Sequence, residues 1–304
     1  MKNKIIDVIA LTKKYGKNEN FALDNVNLSI EEGSIFGLLG PNGAGKSTFI
    51  NILSGLSNKS SGKVNVCGID LDLDPKTIKG NIGVVPQEIN IDPFFSPIDI
   101  MNIQSGMYGV RDKNNINNEI LRNLDLHEKA NSYSRSLSGG MKRRLMVAKA
   151  MVHDPPLLIL DEPTAGVDVE LRKNLWSYIK KLNSKGVTII LTTHYLKEAE
   201  ILCDNIAVIN KGKVIACDKK INLLSLLDEK ELIIELSEPV KSIPKKIIKY
   251  CTKKVGKKII LRFKKSEIST AEIIKEFVSK SYKLKDISTK ESDLEDIFLK
   301  LLKD

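Results

Sequence analysis

Nine consecutive residues, Gly40-Pro41-Asn42-Gly43-Ala44-Gly45-Lys46-Ser47-Thr48, leave the backbone almost bare and then place a cation beside two hydroxyls. From Gly40 to Ser47 they fit the pattern G-x-x-x-x-G-K-[ST]. Small residues let the backbone fold tightly with its N–H groups aimed at a polyphosphate. A helix beginning near Lys46 would add its positive N-terminal end. In that arrangement Lys46 reaches the terminal phosphates and Ser47 offers a hydroxyl to Mg²⁺. Bulky side chains ahead of Lys46 would hold the backbone away from the anion. The apolar run SIFGLLG before the loop and the helically spaced FINILSGL after it set the loop at a strand-to-helix turn, the context this chemistry needs.

A second signal is PLLILDEPT, in which a continuous apolar run reads as a buried strand ending at Asp161 and Glu162. Ligands of open α/β sheets bind at that C-terminal edge. Asp161 there would complete the Mg²⁺ shell, and Glu162 would polarise an attacking water. The stretch LSGGMKRR, residues 137–144, opens a helix with Ser138, Gly139 and Gly140, a second small-residue anion cradle. One nucleotide rarely needs two cradles in one chain, so the second is expected to serve a nucleotide held by another subunit. Gln87 in GVVPQE and His194 in IILTTH both follow strand-like runs and should project from the same sheet edge. Tyr15, in KKYG, either stacks on an adenine ring or covers an edge.

These residues need a scaffold of alternating strands and helices. FALDNVNLSI alternates in polarity, SIFGLLG is a buried run, and GKVNVCGIDL follows the helix after Lys46. From Gln87 to Ala150 the texture is helical, and strand signals return in PLLILDEP, GVTIILTTH, NIAVINKG and KVIACD. The pattern predicts an α/β fold with a largely parallel sheet covered by helices. A linker is expected over 219–230, and beyond it ELIIELS, KKIILRF, STAEIIKEFVSKSY and DLEDIFLKLLK suggest a small α+β unit.

The net charge of +10 is unevenly spread. Residues 1–218 carry 27 basic and 24 acidic side chains, whereas 219–304 carry 21 and 14. Of the 48 basic residues 41 are lysine, and Arg262 is the only arginine of the tail. Base reading and bidentate phosphate recognition favour arginine, so a solvated lysine surface is expected rather than a nucleic-acid face. No apolar run approaches the ~18 residues that span a bilayer. The N-terminal stretch MKNKIIDVIALTKKYG reads as a first strand, and four scattered cysteines form no metal-ligand pair, which points to a reduced cytoplasmic setting.

Taken together, GPNGAGKST, Gln87, LSGGM, LLILDEPT, Asp168 in AGVD and His194 resemble the nucleotide-binding subunits of ATP-binding cassette (ABC) transporters. The likeness covers about residues 1–218, with the motifs in order and at the expected spacing. It implies a P-loop NTPase cassette with a helical subdomain near 88–155, plus a small C-terminal α+β domain at 231–304. The loop 40–48 and LLILDE correspond to the Walker A and Walker B elements. The resemblance implies ATP and Mg²⁺ as cofactors, with Ser47, Gln87 and Asp161 at the metal. Glu162 becomes the base, with Gln87 and His194 positioning water and γ-phosphate, and Tyr15 and Asp168 joining the nucleotide contacts. It also implies a head-to-tail homodimer, in which Ser138 to Gly140 close the partner's site, and a separate transmembrane permease. The chain would then sit peripherally on the cytoplasmic face of the inner membrane. Met141 stands where most cassettes have glutamine, and AGVD replaces a commoner sequence. The methionine, with GVDVELRKNLW and the terminal DLEDIFLKLL, resembles exporter cassettes of the daunorubicin-resistance type. A soluble cassette ATPase acting on ribosomes or nucleic acid, and an importer subunit, are the alternative readings. The segment from Gln87 to Tyr108 is expected to grip the membrane partner, unless its aromatics belong to the core.

Overall fold

A computed structural model describes residues 3–16, 20–226, 229–240, 242–291 and 293–303. The chain divides into two compact units, Met1–Lys220 and Ile221–Asp304.

The first unit begins with β1 (Lys4–Lys14), β2 (Phe21–Glu31) and β3 (Ile35–Leu39), followed by α1 (Lys46–Leu53), β4 (Ser61–Val66), β5 (Ile69–Asp70), α2 (Pro75–Gly80) and β6 (Ile82–Val85). A helical stretch follows, with α3 (Pro97–Met107), α4 (Lys113–Asn123) and α5 (Gly139–Ala150). The chain then returns through β7 (Leu157–Asp161), α6 (Val169–Ser184), β8 (Thr188–Thr192), α7 (Leu196–Leu202), β9 (Asn205–Asn210) and β10 (Lys213–Lys219). The main sheet has the order β10-β9-β3-β8-β7-β6. All its neighbours run parallel except the edge pair β10 and β9. Every residue of β3 and β8 is buried, as continuous apolar runs covered on both faces require.

The early strands depart from the single sheet expected. β2, β1, β4 and β5 form a separate antiparallel sheet. The reason lies in their polarity: β2 alternates between buried and exposed residues, so only one of its faces can meet a core. α1 fills the space between the two sheets. Phe49, Ile52 and Leu53 share one buried cluster with Ile6, Leu23 and Val26 of the antiparallel sheet and with Phe36, Ile159 and Ile190 of the main sheet. Burying a side chain such as Phe49 fully is worth about 1.5–3 kcal/mol, so the helix that follows the loop is held firmly by its apolar face.

The helical stretch carries its own punctuation. α3 starts with a capping box between Ser96 and Asp99 and has Pro97 in its first turn. A buried polar relay joins it to α4: Ser105 Oγ donates to Asn117 Oδ1 at 3.0 Å, and Asn117 Nδ2 donates to Asn102 Oδ1 at 2.9 Å.

Part of the expected linker is helical, as α8 (Lys220–Ser225), while Leu227 and Asp228 lie outside the described residues. The second unit comprises β11 (Glu229–Leu236), β12 (Cys251–Val255), β13 (Lys258–Lys264), α9 (Thr270–Ser279), β14 (Leu284–Glu291) and α10 (Leu294–Lys303). Its antiparallel sheet has the order β12-β13-β11-β14. Leu232, Ile234, Ile259, Leu261, Ile273 and Phe277 give it a core of its own. Among the described residues no helix is long and apolar enough to cross a membrane.

Candidate functional site

The loop from Gly40 to Gly45 leaves the end of β3 and turns into α1. Gly45 caps the helix with φ at +113°, a conformation that residues with a Cβ rarely adopt. A Cβ there would lie 2.5 Å from the Ala22 carbonyl oxygen, and one on Gly40 would lie 2.3 Å from that of Ile209. Neighbouring backbone therefore forbids side chains at both ends of the loop. No side chain caps α1, and its first turn carries no acidic residue. Its first N–H groups are thus orphan donors available to an anion. Lys46 is buried, and its ammonium donates to the carbonyls of Gly40 at 2.7 Å and Pro41 at 3.1 Å. Burial pulls its pKa down, while the carboxylates of Glu162 and Asp161 oppose that shift.

The acidic side of the site comes from three neighbouring strands. Asp161 ends β7 directly opposite Thr192 of β8, whose hydroxyl donates to Asp161 Oδ1. Glu162 follows with φ at +48°, a left-handed backbone that is uncommon for a non-glycine residue and recurs at functional sites. Its N–H donates to the Thr192 carbonyl at 3.0 Å, which pins the turn. The side chain is buried, and Oε2 lies 3.0 Å from His194 Nδ1 and accepts from Gln87 Nε2 at 3.3 Å. Gln87 enters just past β6 and His194 just past β8, so the sheet order β8-β7-β6 gathers residues far apart in sequence.

A cavity of about 330 Å³ separates the two sides. Asn42, Gly43, Gly45, Lys46, Ser47 and Thr48 line one wall, and Gln87, Asp161 and Glu162 line the other. Ala44 is buried behind the loop. Mg²⁺ prefers hard oxygen ligands and commonly takes one or two carboxylates together with substrate phosphates. The Ser47 hydroxyl, the Gln87 amide oxygen and the Asp161 carboxylate fit that requirement. Among the described residues no cluster of three or more His, Cys, Asp or Glu side chains is arranged to hold a metal without such phosphates.

Other sequence candidates are not brought to this cavity within one chain. Ser138 caps α5, accepting from the Met141 N–H at 3.3 Å, and Ser138 and Gly139 are exposed with Gly140 half-buried. Asp168 is exposed ahead of α6, where its carbonyl accepts from the Arg172 N–H at 3.0 Å. Neither Asp168 nor Ser138 to Gly140 lines the cavity. Tyr15 is 47% exposed, with Lys13 Nζ 4.6 Å from its ring centre. Its hydroxyl faces those of Ser57 and Thr48, which lower its pKa and set it beside the loop helix.

Arg143 is the residue that sequence reasoning passed over. Buried on α5, it donates through Nη1 to the carbonyls of Gln87 at 2.7 Å and Pro86 at 3.1 Å. Burial lowers its pKa, and the charges of Glu162 and Asp161 counter this. The helix that opens with Ser138 thereby holds the backbone that carries Gln87. The signal available was its spacing: Arg143 follows Gly139 by one helical turn, on the same face.

Comparison with known proteins agrees with this geometry. The family model described as ABC transporter matches residues 23–165. Nod factor export ATP-binding protein I of Cupriavidus metallidurans is 40% identical over 222 residues, 72% of this chain and 73% of that protein. Linearmycin resistance ATP-binding protein LnrL of Bacillus subtilis is 39% identical over 229 residues, 75% of this chain and 73% of its own length. Among solved structures, an ATP-binding subunit of an ABC transporter superposes with a TM-score of 0.67 at 27% identity, covering 73% of this chain and 92% of that one. A dimeric ATP-binding cassette in a post-hydrolysis state, with ADP and Pi bound, gives 0.65 at 29% identity and covers 70% of this chain and 98% of its own. With such identity sustained across nearly three quarters of the curated relatives, this chain belongs to the ABC transporter family, as an ATP-hydrolysing subunit.

Proposed function

We propose that the chain is the ATPase subunit of an exporter and works as a homodimer beneath a separate membrane-spanning permease. The observation that carries the catalytic part is the buried Glu162 carboxylate, held between Gln87 and His194 across the cavity from Lys46. In this reading the loop 40–48 and the N-terminus of α1 bind the triphosphate of ATP, and Lys46 exchanges its loop carbonyls for phosphate oxygens. Ser47, Gln87 and Asp161 would hold Mg²⁺, which neutralises charge on the phosphates. Glu162 takes a proton from the attacking water, Gln87 orients that water, and His194 donates to the γ-phosphate. Tyr15 lies beside the loop helix, where it is proposed to stack on the base.

The exposed cradle of Ser138 to Gly140, and exposed Asp168, support a site completed by a second copy. A donor cradle turned to solvent is what a head-to-tail partner requires. The export role is supported by relatives whose names specify Nod factor export and linearmycin resistance. The unit Met1–Lys220 acts as the cassette, and the unit Ile221–Asp304 as an accessory domain. The cassette sits on the cytoplasmic face of the inner membrane and makes no specific nucleic-acid contact.

A groove of about 620 Å³, lined by Phe95, Ile100, Ile103, Met107, Tyr108 and Met146, supports a docking place for the permease. Phe94 and Phe95 are 69% and 44% exposed, so these aromatics are not core. The test is purification from native membranes with ATPase assayed at each step. Recovery with a polytopic protein that changes the hydrolysis rate is expected. Recovery with ribosomes or nucleic acid that stimulate the ATPase would overturn the export reading.

A further inference from the structure

Glu198, on α7, is fully buried and four residues beyond His194, and none of the proposed catalytic steps uses it. Its Oε1 accepts a hydrogen bond from the Trp176 indole N–H at 2.8 Å. Its Oε2 is also buried and has no hydrogen-bond partner. Trp176 lies on α6, the helix that follows Asp168, and Glu198 lies on α7, the helix that follows His194. Thr193 adjoins His194, and Thr164 lies on the turn between Glu162 and Asp168. Burial raises the Glu198 pKa, and Trp176, the two threonines and the Arg172 charge act against that rise.

A second clasp joins the two turns that precede these helices. Arg172 on α6 donates through Nη2 to the Val167 carbonyl at 3.1 Å, and its guanidinium carbon lies 4.5 Å from the centre of the Tyr195 ring. The Tyr195 N–H in turn donates to Thr193 Oγ1 at 2.9 Å. A buried carboxyl with one oxygen unpartnered is costly to keep where an apolar side chain would pack. Its hydrogen bond, which runs from one helix to another, gives a reason for it to be there.

We infer that Glu198 is a positioning residue that, through Trp176, ties α7 to α6, so that the turns carrying Asp168 and His194 are presented as one rigid unit. A movement imposed on Asp168 by a second copy of the chain would then reach His194 through buried contacts. The inference rests on the proposed role of His194 at the γ-phosphate.

The test uses the full chain and compares Glu198→Ala, Glu198→Gln and Trp176→Phe, with His194→Ala probing the underlying reading. Steady-state hydrolysis gives kcat and KM separately, calorimetry gives ATP affinity, and thermal melting reports folding. Glu198→Ala and Trp176→Phe are expected to lower kcat about tenfold or more, with KM and ATP affinity within about threefold of native. A glutamine oxygen can still accept from Trp176, so Glu198→Gln should restore kcat to within about threefold. Loss of turnover in His194→Ala together with native kcat in a folded Glu198→Ala would overturn the inference and spare the reading of His194. Undiminished turnover in His194→Ala would overturn both. Should Glu198→Ala not fold, the Glu198→Gln and Trp176→Phe variants decide. A native kcat in Trp176→Phe, or a Glu198→Gln that folds but stays inactive, refutes the tie.

Discussion

Replacing Glu162 by glutamine keeps the side-chain volume, removes one negative charge and removes the capacity to accept a proton. The structural cost is small. Oε2 lies 3.0 Å from His194 Nδ1 and 3.3 Å from Gln87 Nε2, and a glutamine oxygen can keep one of those contacts. His194 and Gln87 are both exposed, so water satisfies whichever is released. The left-handed backbone at this position suits glutamine no worse than glutamate. The stability change should therefore stay near 1 kcal/mol, or about 2–4 °C in Tm. The catalytic cost is large, because a positioned general base contributes about 10²–10⁴-fold, roughly 3–5 kcal/mol of barrier. ATP affinity should be unchanged or tighter, since Lys46 and the loop are intact and one anion facing the triphosphate is gone. Steady-state phosphate release measures turnover, calorimetric ATP titration the affinity, thermal melting the stability, and sedimentation with ATP and Mg²⁺ the oligomeric state. The variant should bind, scarcely turn over, and accumulate as a nucleotide-bound dimer. A kcat within about threefold of native in folded protein, or a drop in rate matched by an equal loss of affinity, would refute the assignment of Glu162 as base.

Lys46→Ala removes the buried ammonium that the loop carbonyls hold, and ATP affinity should fall by about tenfold or more in calorimetry. Gly45→Ala brings a Cβ to 2.5 Å from the Ala22 carbonyl at φ +113°, and should cost roughly 1–3 kcal/mol in a denaturant titration as well as abolish nucleotide binding. Arg143→Met strips the Gln87 and Pro86 carbonyls of their shared donor. That variant should keep ATP affinity within about threefold but lose about tenfold or more in kcat, with Arg143→Lys recovering part of the loss.

The glycine-rich loop, the acidic strand end and the capped start of α5 were legible in the sequence because each is a local matter. Glycines encode backbone dihedrals and close approach, as Gly45 and Gly40 do, and a run such as Leu157–Asp161 encodes burial on both faces. Belonging to the ABC transporter family followed from the order of those signals along the chain. Sequence could also say that the strand of FALDNVNLSI alternates, but not that it leaves the parallel sheet, since pairing partners are chosen by which faces pack around Phe49 and Ile52. Only the tertiary structure decided that Gln87, Glu162 and His194 meet within hydrogen-bonding distance, because the neighbouring places of β6, β7 and β8 are set by long-range packing. It alone tied Arg143 to the Gln87 backbone and buried Glu198 against Trp176. Those contacts span tens of residues, and no periodicity or propensity of a short segment records them. What a segment becomes is written in its own side chains, whereas what it touches depends on how the whole chain closes over its core.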